Sequence, residues 1–559
     1  MVTDIKTPRS GRQRVLVFQG GGSLGAYEAG VYHVLYHWIK SRLHQDENVF
    51  DIIAGTSIGA VNASIIINEV LEKKKQEKPD EIIKYWENTP EKLIQFWKTV
   101  SKSNSVTDLW DPWNLPDFYR SITENCLKLN YETFLNAFPF LRSVLPSEEA
   151  FRKYYHTQAA LASGEKQIFR PQFIYPFPSA VWNKFFDFIS PTAMWFQYSN
   201  LPLRNSITGS ACMLNDSNGN GIKTQYSEKE PRLLLVAADL SAGDTRTFDS
   251  YKENITIKHV LASAAVPKYY AYVDIDGKKY WDGGILSNTP VREILSEHSK
   301  FWVDKLGLDL GPRPNIDFEM GKEWFKKENK EGENNNRKIP KLDLCIVNLY
   351  PSKEKGQQIP SLYDYDLTKD RENDIRYRDK TDYDLKLADV MTDYHDFVER
   401  VGEVAIEAIE GVKDKNIVDE LKNKFTRILN EKQRTSPRND KTRHRHYYEL
   451  LRKRFDIETA IKIERRDDID TIANKAFDFS PETISSLIEC GIYDTLKTIY
   501  EHHKEWSNEW DKKSFPDWLK IYIEEIEKLN IKGILETVHK FKADFNIKFT
   551  YRESQTCKT

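Results

Sequence analysis

The sequence predicts an α/β fold, a mixed, mostly parallel sheet flanked by helices, with a large insertion and a helical tail. Two observations carry this. Residues 14–18 (RVLVF) form an apolar strand that runs into a glycine loop, Gly20-Gly21-Gly22-Ser23-Leu24-Gly25. Beyond the loop, Leu24, Tyr27, Val31, Val34, Leu35 and Trp38 recur at helical spacing. Residues 50–60 (FDIIAGTSIGA) repeat the plan: apolar strand, tight glycine turn, then a helix to about residue 75. Successive strand–loop–helix units need crossover connections, and crossovers set strands parallel.

Residues 80–230 break this rhythm with helical pieces, prolines and dense aromatics. RLLLVAADL (232–240) is the next buried strand. AYVDIDGKKYW (271–281) reads as a hairpin turning at Asp276-Gly277, where glycine supplies a positive φ. KLDLCIVNLY (341–350) is another core strand, and the charged, Asn-rich run before it (326–338) reads as an exposed loop. After about residue 385 the chain turns mostly helical and charged. DFSPETISSLIECG (478–491) reads as a helix capped by Ser480 with Glu482 and stopped by Gly491.

Composition excludes several classes. The 559 residues carry 82 Lys and Arg against 85 Asp and Glu, so no global basic field for nucleic acid exists. Mean hydropathy is −0.62, and no apolar run approaches the ~18 residues that span a bilayer. The start, MVTDIKTPRSGRQR, lacks the apolar region of a secretory signal. Cys126, Cys212, Cys345, Cys490 and Cys557 are scattered and odd in number, which argues against a disulfide framework and a zinc site. The expected location is therefore the cytoplasm, with at most peripheral contact with a membrane surface.

The glycine loop turns backbone N–H groups toward one point, and the following helix adds its positive end, so the loop suits an anion. It matches the G-x-G-x-x-G of dinucleotide sites, with Asp46 and Asp51 where a ribose-binding acid would be sought. It equally suits the oxyanion of acyl transfer, or a plain turn. The second glycine turn separates these readings. Gly55-Thr56-Ser57-Ile58-Gly59 is G-x-S-x-G between strand and helix, the context that a nucleophile elbow requires. As an ordinary residue, Ser57 would simply cap its helix.

A serine hydroxyl needs a base. His259 and His395 lie in helical stretches and read as capping or surface residues. Asp282, in Tyr280-Trp281-Asp282-Gly283-Gly284, is the better candidate, because two glycines clear the space around it. An ordinary aspartate is a poor base at neutral pH; burial beside Ser57 would raise its pKa, and direct contact would let proton transfer run concerted with attack.

GGGSLG, GTSIG about 30 residues later, ASAAVP (262–267) and DGG (282–284) together resemble the patatin-like phospholipases in order and spacing. The resemblance covers residues 14–75 and 230–295. It implies a three-layer α/β/α fold and hydrolysis of lipid acyl esters by a Ser–Asp dyad, through an acyl-enzyme. It implies Ser57 as nucleophile, Asp282 as base, and the N–H groups around Gly20, Gly21 and Gly22, with that of Ile58, as oxyanion hole. Gly25, Gly55, Gly59, Gly283 and Gly284 would support these motifs. The implied organisation is a catalytic domain over 1–400, with an insertion at about 80–230, and a mostly helical extension over 401–559. Lipid esters or phospholipids are the expected partners; no metal, organic cofactor or nucleic acid is expected. An acyltransferase using the same dyad and a dinucleotide-binding oxidoreductase are the alternatives.

Three further stretches draw attention. Residues 173–198 hold ten aromatics in 26 positions and suit a self-packed cap, an acyl-pocket lining or a bilayer contact, in that order. Asp216–Gly221 begins like an EF-hand loop, but the closing acid, Glu228, is one place out of register, so a turn is expected. Residues 432–454 hold nine Lys or Arg against two acids and read as a solvated face.

Overall fold

A computed structural model of the chain describes residues 11–40, 43–77, 81–101, 198–208, 221–305, 316–325, 339–350, 365–431, 457–465 and 474–509, with Tyr447 and short stretches between 152 and 171. The aromatic run before Tyr198, the Asn/Gly turn before Gly221, the 326–338 loop and the basic stretch, save Tyr447, lie outside the described residues. The chain divides into two compact units.

The larger unit comprises Leu16–Pro290, Cys345–Asp379 and Ile461–Thr559. The strands among the described residues are β1 (Arg12–Phe18), β2 (Ile52–Thr56), β5 (Arg232–Asp239), β6 (Asp244–Asp249), β7 (Val273–Ile275), β8 (Lys278–Asp282), β9 (Lys341–Asn348) and β10 (Ile457–Glu464); β3 (Arg170–Pro171) and β4 (Tyr198–Ser199) form a separate two-residue ladder. The sheet runs β10-β9-β1-β2-β5-β8-β7, with β6 also paired to β5. β2 and β5 are parallel, whereas β6 and β8 run antiparallel to β5, and β7 to β8. The α/β architecture is the one expected. β2 is buried throughout and β5 nearly so, as central strands covered on both faces must be. The β7–β8 hairpin turns at Asp276-Gly277, both at positive φ (53° and 81°).

Helices α1 (Gly25–Lys40), α2 (Ile58–Glu77), α3 (Thr89–Ser101), α4 (Leu201–Thr208), α5 (Ile257–Ser263), α8 (Tyr365–Tyr377) and α11 (Pro481–Glu509) belong to the same unit. The helix read from residue 481 does not stop at Gly491, because α11 runs on to Glu509. Gly491 serves a helix crossing: a Cβ there would lie 2.2 Å from the Tyr27 carbonyl of α1, and one on Gly30 would lie 2.1 Å from that of Ile488. The start of α11 differs too. Asp478, not Ser480, supplies the side-chain cap, accepting from Ser480 N–H (3.0 Å) and the Thr483 hydroxyl (2.6 Å).

The smaller unit comprises Met1–Val15, Val291–Leu344 and Lys380–Ala460. It holds α6 (Val291–Lys305), α7 (Phe318–Phe325), α9 (Thr381–Gly411) and α10 (Lys415–Leu429). Ile316, Phe318, Ile406, Ile409 and Leu429 form a core there. The Asn430 side chain closes it, accepting from Ile316 N–H and donating to Ile316 O, both at 2.7 Å. Among the described residues no helix is long and apolar enough to cross a membrane.

Candidate active site

Sheet register brings Ser57 and Asp282 to one place. Thr56 pairs with Val236 across β2–β5, and Ala237 pairs with Asp282 across β5–β8. Ser57 therefore leaves β2 level with Ala237, facing Asp282 across one strand. Two strand spacings put these backbones about 9.5 Å apart, a gap that two inward side chains can close.

Ser57 has φ 56°, a left-handed conformation that non-glycine residues avoid. The chain must turn this sharply to go from β2 into α2 within one residue. The turn is possible because Gly55 and Gly59 touch: a Cβ on Gly55 would lie 2.3 Å from the Gly59 carbonyl. Three bonds hold the elbow. Ser57 N–H donates to Ser263 Oγ (3.0 Å), Ser263 Oγ donates to Val236 O (2.6 Å), and Thr56 Oγ1 donates to Ser287 O (3.0 Å). The Ser57 carbonyl accepts from Ala60 and Val61, starting α2.

Asp282 is only 4% exposed. Burial pushes its carboxyl up to about 7 from an ordinary 3.8; the Ser57 side chain and the Gly284 N–H pull the other way. Oδ1 accepts from Gly284 N–H at 2.7 Å. Oδ2 is buried without a strict hydrogen bond to any described residue, so the Ser57 hydroxyl stands in a looser contact with the carboxyl. Such contacts are often long before substrate arrives. Gly283 packs on the Val236 carbonyl, where a Cβ would come within 2.5 Å. The phenols of Tyr270 and Tyr377 are raised chiefly by burial, and both feel the Asp282 charge.

The glycine loop lies against the elbow. A Cβ on Gly20 would meet Asn288 Oδ1 at 2.5 Å and Ser57 Cβ at 2.9 Å, and one on Gly25 would meet Ile58 at 2.7 Å. Gly20 N–H is engaged, donating to Asn288 O at 3.2 Å. The N–H groups of Gly21, Gly22 and Ile58 have no acceptor among the described residues. Gly22 has φ 59°, and a side chain there would strike the Ala476 carbonyl at 2.3 Å.

Sequence reasoning missed the residues that fix this loop. Gln19, fully buried, accepts from Leu349 and Tyr350 N–H at 2.6 and 2.7 Å and donates to Thr289 Oγ1 at 2.8 Å. Asn288 Nδ2 donates to Gly20 O (3.1 Å) and Tyr377 O (2.9 Å). Ser23 Oγ donates to Lys475 O (3.0 Å), and Lys475 pairs with Asp370 and Asp374 at 3.2 and 2.8 Å. Only position hinted at them: Gln19 immediately precedes the glycines, and Asn288 follows the DGG turn.

Removing Ser263 strands a buried N–H at the strained residue. Ser263→Ala is expected to cost about 1–3 kcal/mol of stability and to slow labelling of Ser57 by a fluorophosphonate. An unchanged melting temperature and labelling rate would show that the bond carries nothing.

His259 caps α5, its Nδ1 accepting from Thr256 N–H at 3.0 Å and its ring edge-on to Phe248. His395 is buried on α9 in the smaller unit. Among the described residues, His33 with His37 and Glu91, and His395 with Asp396 and Glu399, gather metal-ligating atoms; neither group includes Ser57 or Asp282.

One solved structure similar to this chain is VipD from Legionella pneumophila, at 13% identity over 90% of this chain and 70% of that one, with a TM-score of 0.27. Among curated proteins none matches. The family model for patatin-like phospholipase matches residues 16–295, half of the chain and the stretch that contains the elbow, the glycine loop and Asp282. The chain belongs to the patatin-like phospholipase family.

Proposed function

We propose that the protein hydrolyses lipid acyl esters with Ser57 as nucleophile and Asp282 as its base. The observation that carries this is a carboxyl buried beside a left-handed serine, with its pKa raised to about 7. A base poised near neutrality keeps both its charge and its proton affinity at working pH. Asp282 takes the Ser57 proton as the oxygen attacks the ester carbonyl. The N–H groups of Gly21, Gly22 and Ile58 receive the oxyanion; Gly20, whose N–H is already committed, shapes the loop. The alcohol leaves with the proton from Asp282. Water, deprotonated by the same carboxylate, then releases the acid from the acyl-enzyme. No metal or organic cofactor enters these steps. Tyr377 feels the Asp282 charge and neighbours Tyr269, whose ring lies 5.0 Å from that of Phe477; this aromatic chain suits an acyl path, and phospholipids at a membrane surface are the substrates that fit.

Nitrophenyl esters from acetyl to palmitoyl test the activity. Turnover should favour the longer chains, and a fluorophosphonate should label one serine per chain. An acceptor alcohol in excess distinguishes acyl transfer from hydrolysis. Saturable quenching of nicotinamide fluorescence without labelling would move the glycine loop to a dinucleotide role.

The base must be ionised, so the acidic side of the pH profile belongs to Asp282. kcat/KM should reach its plateau above pH 7 and fall about tenfold per unit well below it. A profile flat from pH 5 to 8 would assign the base elsewhere.

A further inference from the structure

Helix α9 carries an apolar stripe that its own unit does not bury. Tyr383, Leu387, Val390, Tyr394, Phe397, Val401 and Val404 are exposed by 73, 49, 61, 51, 65, 52 and 65%. Their spacing is 4, 3, 4, 3, 4, 3, the a/d heptad of a coiled-coil seam, sustained over three heptads. The face that α9 gives to its own unit is a different one: Thr381, Ala388, His395, Gly402 and Ile409 are buried, also at sevenfold spacing. A surface helix that only packs on its own core shows one apolar face. This helix shows two.

The flanking charges choose the occupant. With Leu387, Tyr394 and Val401 at a, the g positions are Lys386, Asp393, Arg400 and Glu407, all exposed and none ion-paired among the described residues. In a parallel pair each g meets an e of the other helix, and Met391, Val398 and Ala405 there offer no charge. In an antiparallel pair g meets g. Packing Leu387 on Val404 and Tyr394 on Phe397 of a second copy sets Lys386 opposite Glu407 and Asp393 opposite Arg400. The two-fold axis repeats both, so four pairs of opposite sign form from one sequence. An anionic bilayer fits poorly, because residues 381–411 hold nine acids against two bases. We propose that two copies of this chain associate through α9 as an antiparallel coiled coil.

Sedimentation of the full chain over a range of concentrations should give twice 65.4 kDa at tens of micromolar. Phe397→Glu, at an exposed position, should leave the circular dichroism unchanged and abolish the dimer. Asp393→Arg and Arg400→Asp should each weaken it about tenfold, since each makes two like-charge pairs. Mixing these two variants should restore association, because every central pair between them is again opposite. A monomer at all concentrations overturns the proposal. So does a dimer indifferent to both reversals, or one whose variants fail to complement. Vesicle binding that Phe397→Glu removes from a monomeric chain would assign the stripe to lipid.

Discussion

Ser57→Ala is expected to end fluorophosphonate labelling and to lower ester turnover by about 10⁴-fold or more, while the fold stays intact. The magnitude follows from what a nucleophile contributes when the oxyanion donors and the binding site remain. Ser57 makes its structural bonds through its backbone N–H and carbonyl, which alanine keeps. The left-handed strain also persists, so the melting temperature should hardly move. Labelling at full stoichiometry in the variant would place the reactive serine elsewhere.

Asp282→Asn should have the second largest effect, in two directions at once. Turnover should drop about 10³–10⁴-fold, because the amide cannot accept the serine proton. Stability should rise at alkaline pH. The carboxyl has a folded pKa above its unfolded value, so its contribution is fully present below about 3.8 and is lost as pH rises through about 7. Above that, folding must bury a charge. Asparagine removes this cost and keeps an oxygen for the Gly284 N–H. The variant's advantage in melting temperature should be absent near pH 4 and reach on the order of 1–4 kcal/mol by pH 8. Equal pH dependence in both proteins would mean that Asp282 is not buried as an acid.

Features set by local constraints were legible in the residues. A sharp turn at a serine between two touching glycines, or an Asp-Gly hairpin, is written within a few positions, because the glycines are what permit the close approach and the positive φ there. Features set by distant partners were less so. Gly491 looks like a helix stop in its own window and is a crossing point once Tyr27 is beside it. β10 lies in a charged region expected to be helical. Its signal was present, in Ile461 and Ile463 buried and alternating with Lys462 and Glu464, but short. The roles of Gln19 and Asn288 depend on groups 330 and 89 residues away, and neither residue has a side chain whose chemistry announces it.

The clasp between Ser23 and Lys475 ties the glycine loop to chain made 452 residues later. During synthesis, the serine and its carboxylate emerge long before the segment that walls the loop and the helix that locks onto Gly30. Until those parts arrive, the glycine loop lacks its rigid backing. On a ribosome the loop would thus gain its backing only once residues 475–509 have emerged, and shorter nascent chains would carry it unsupported.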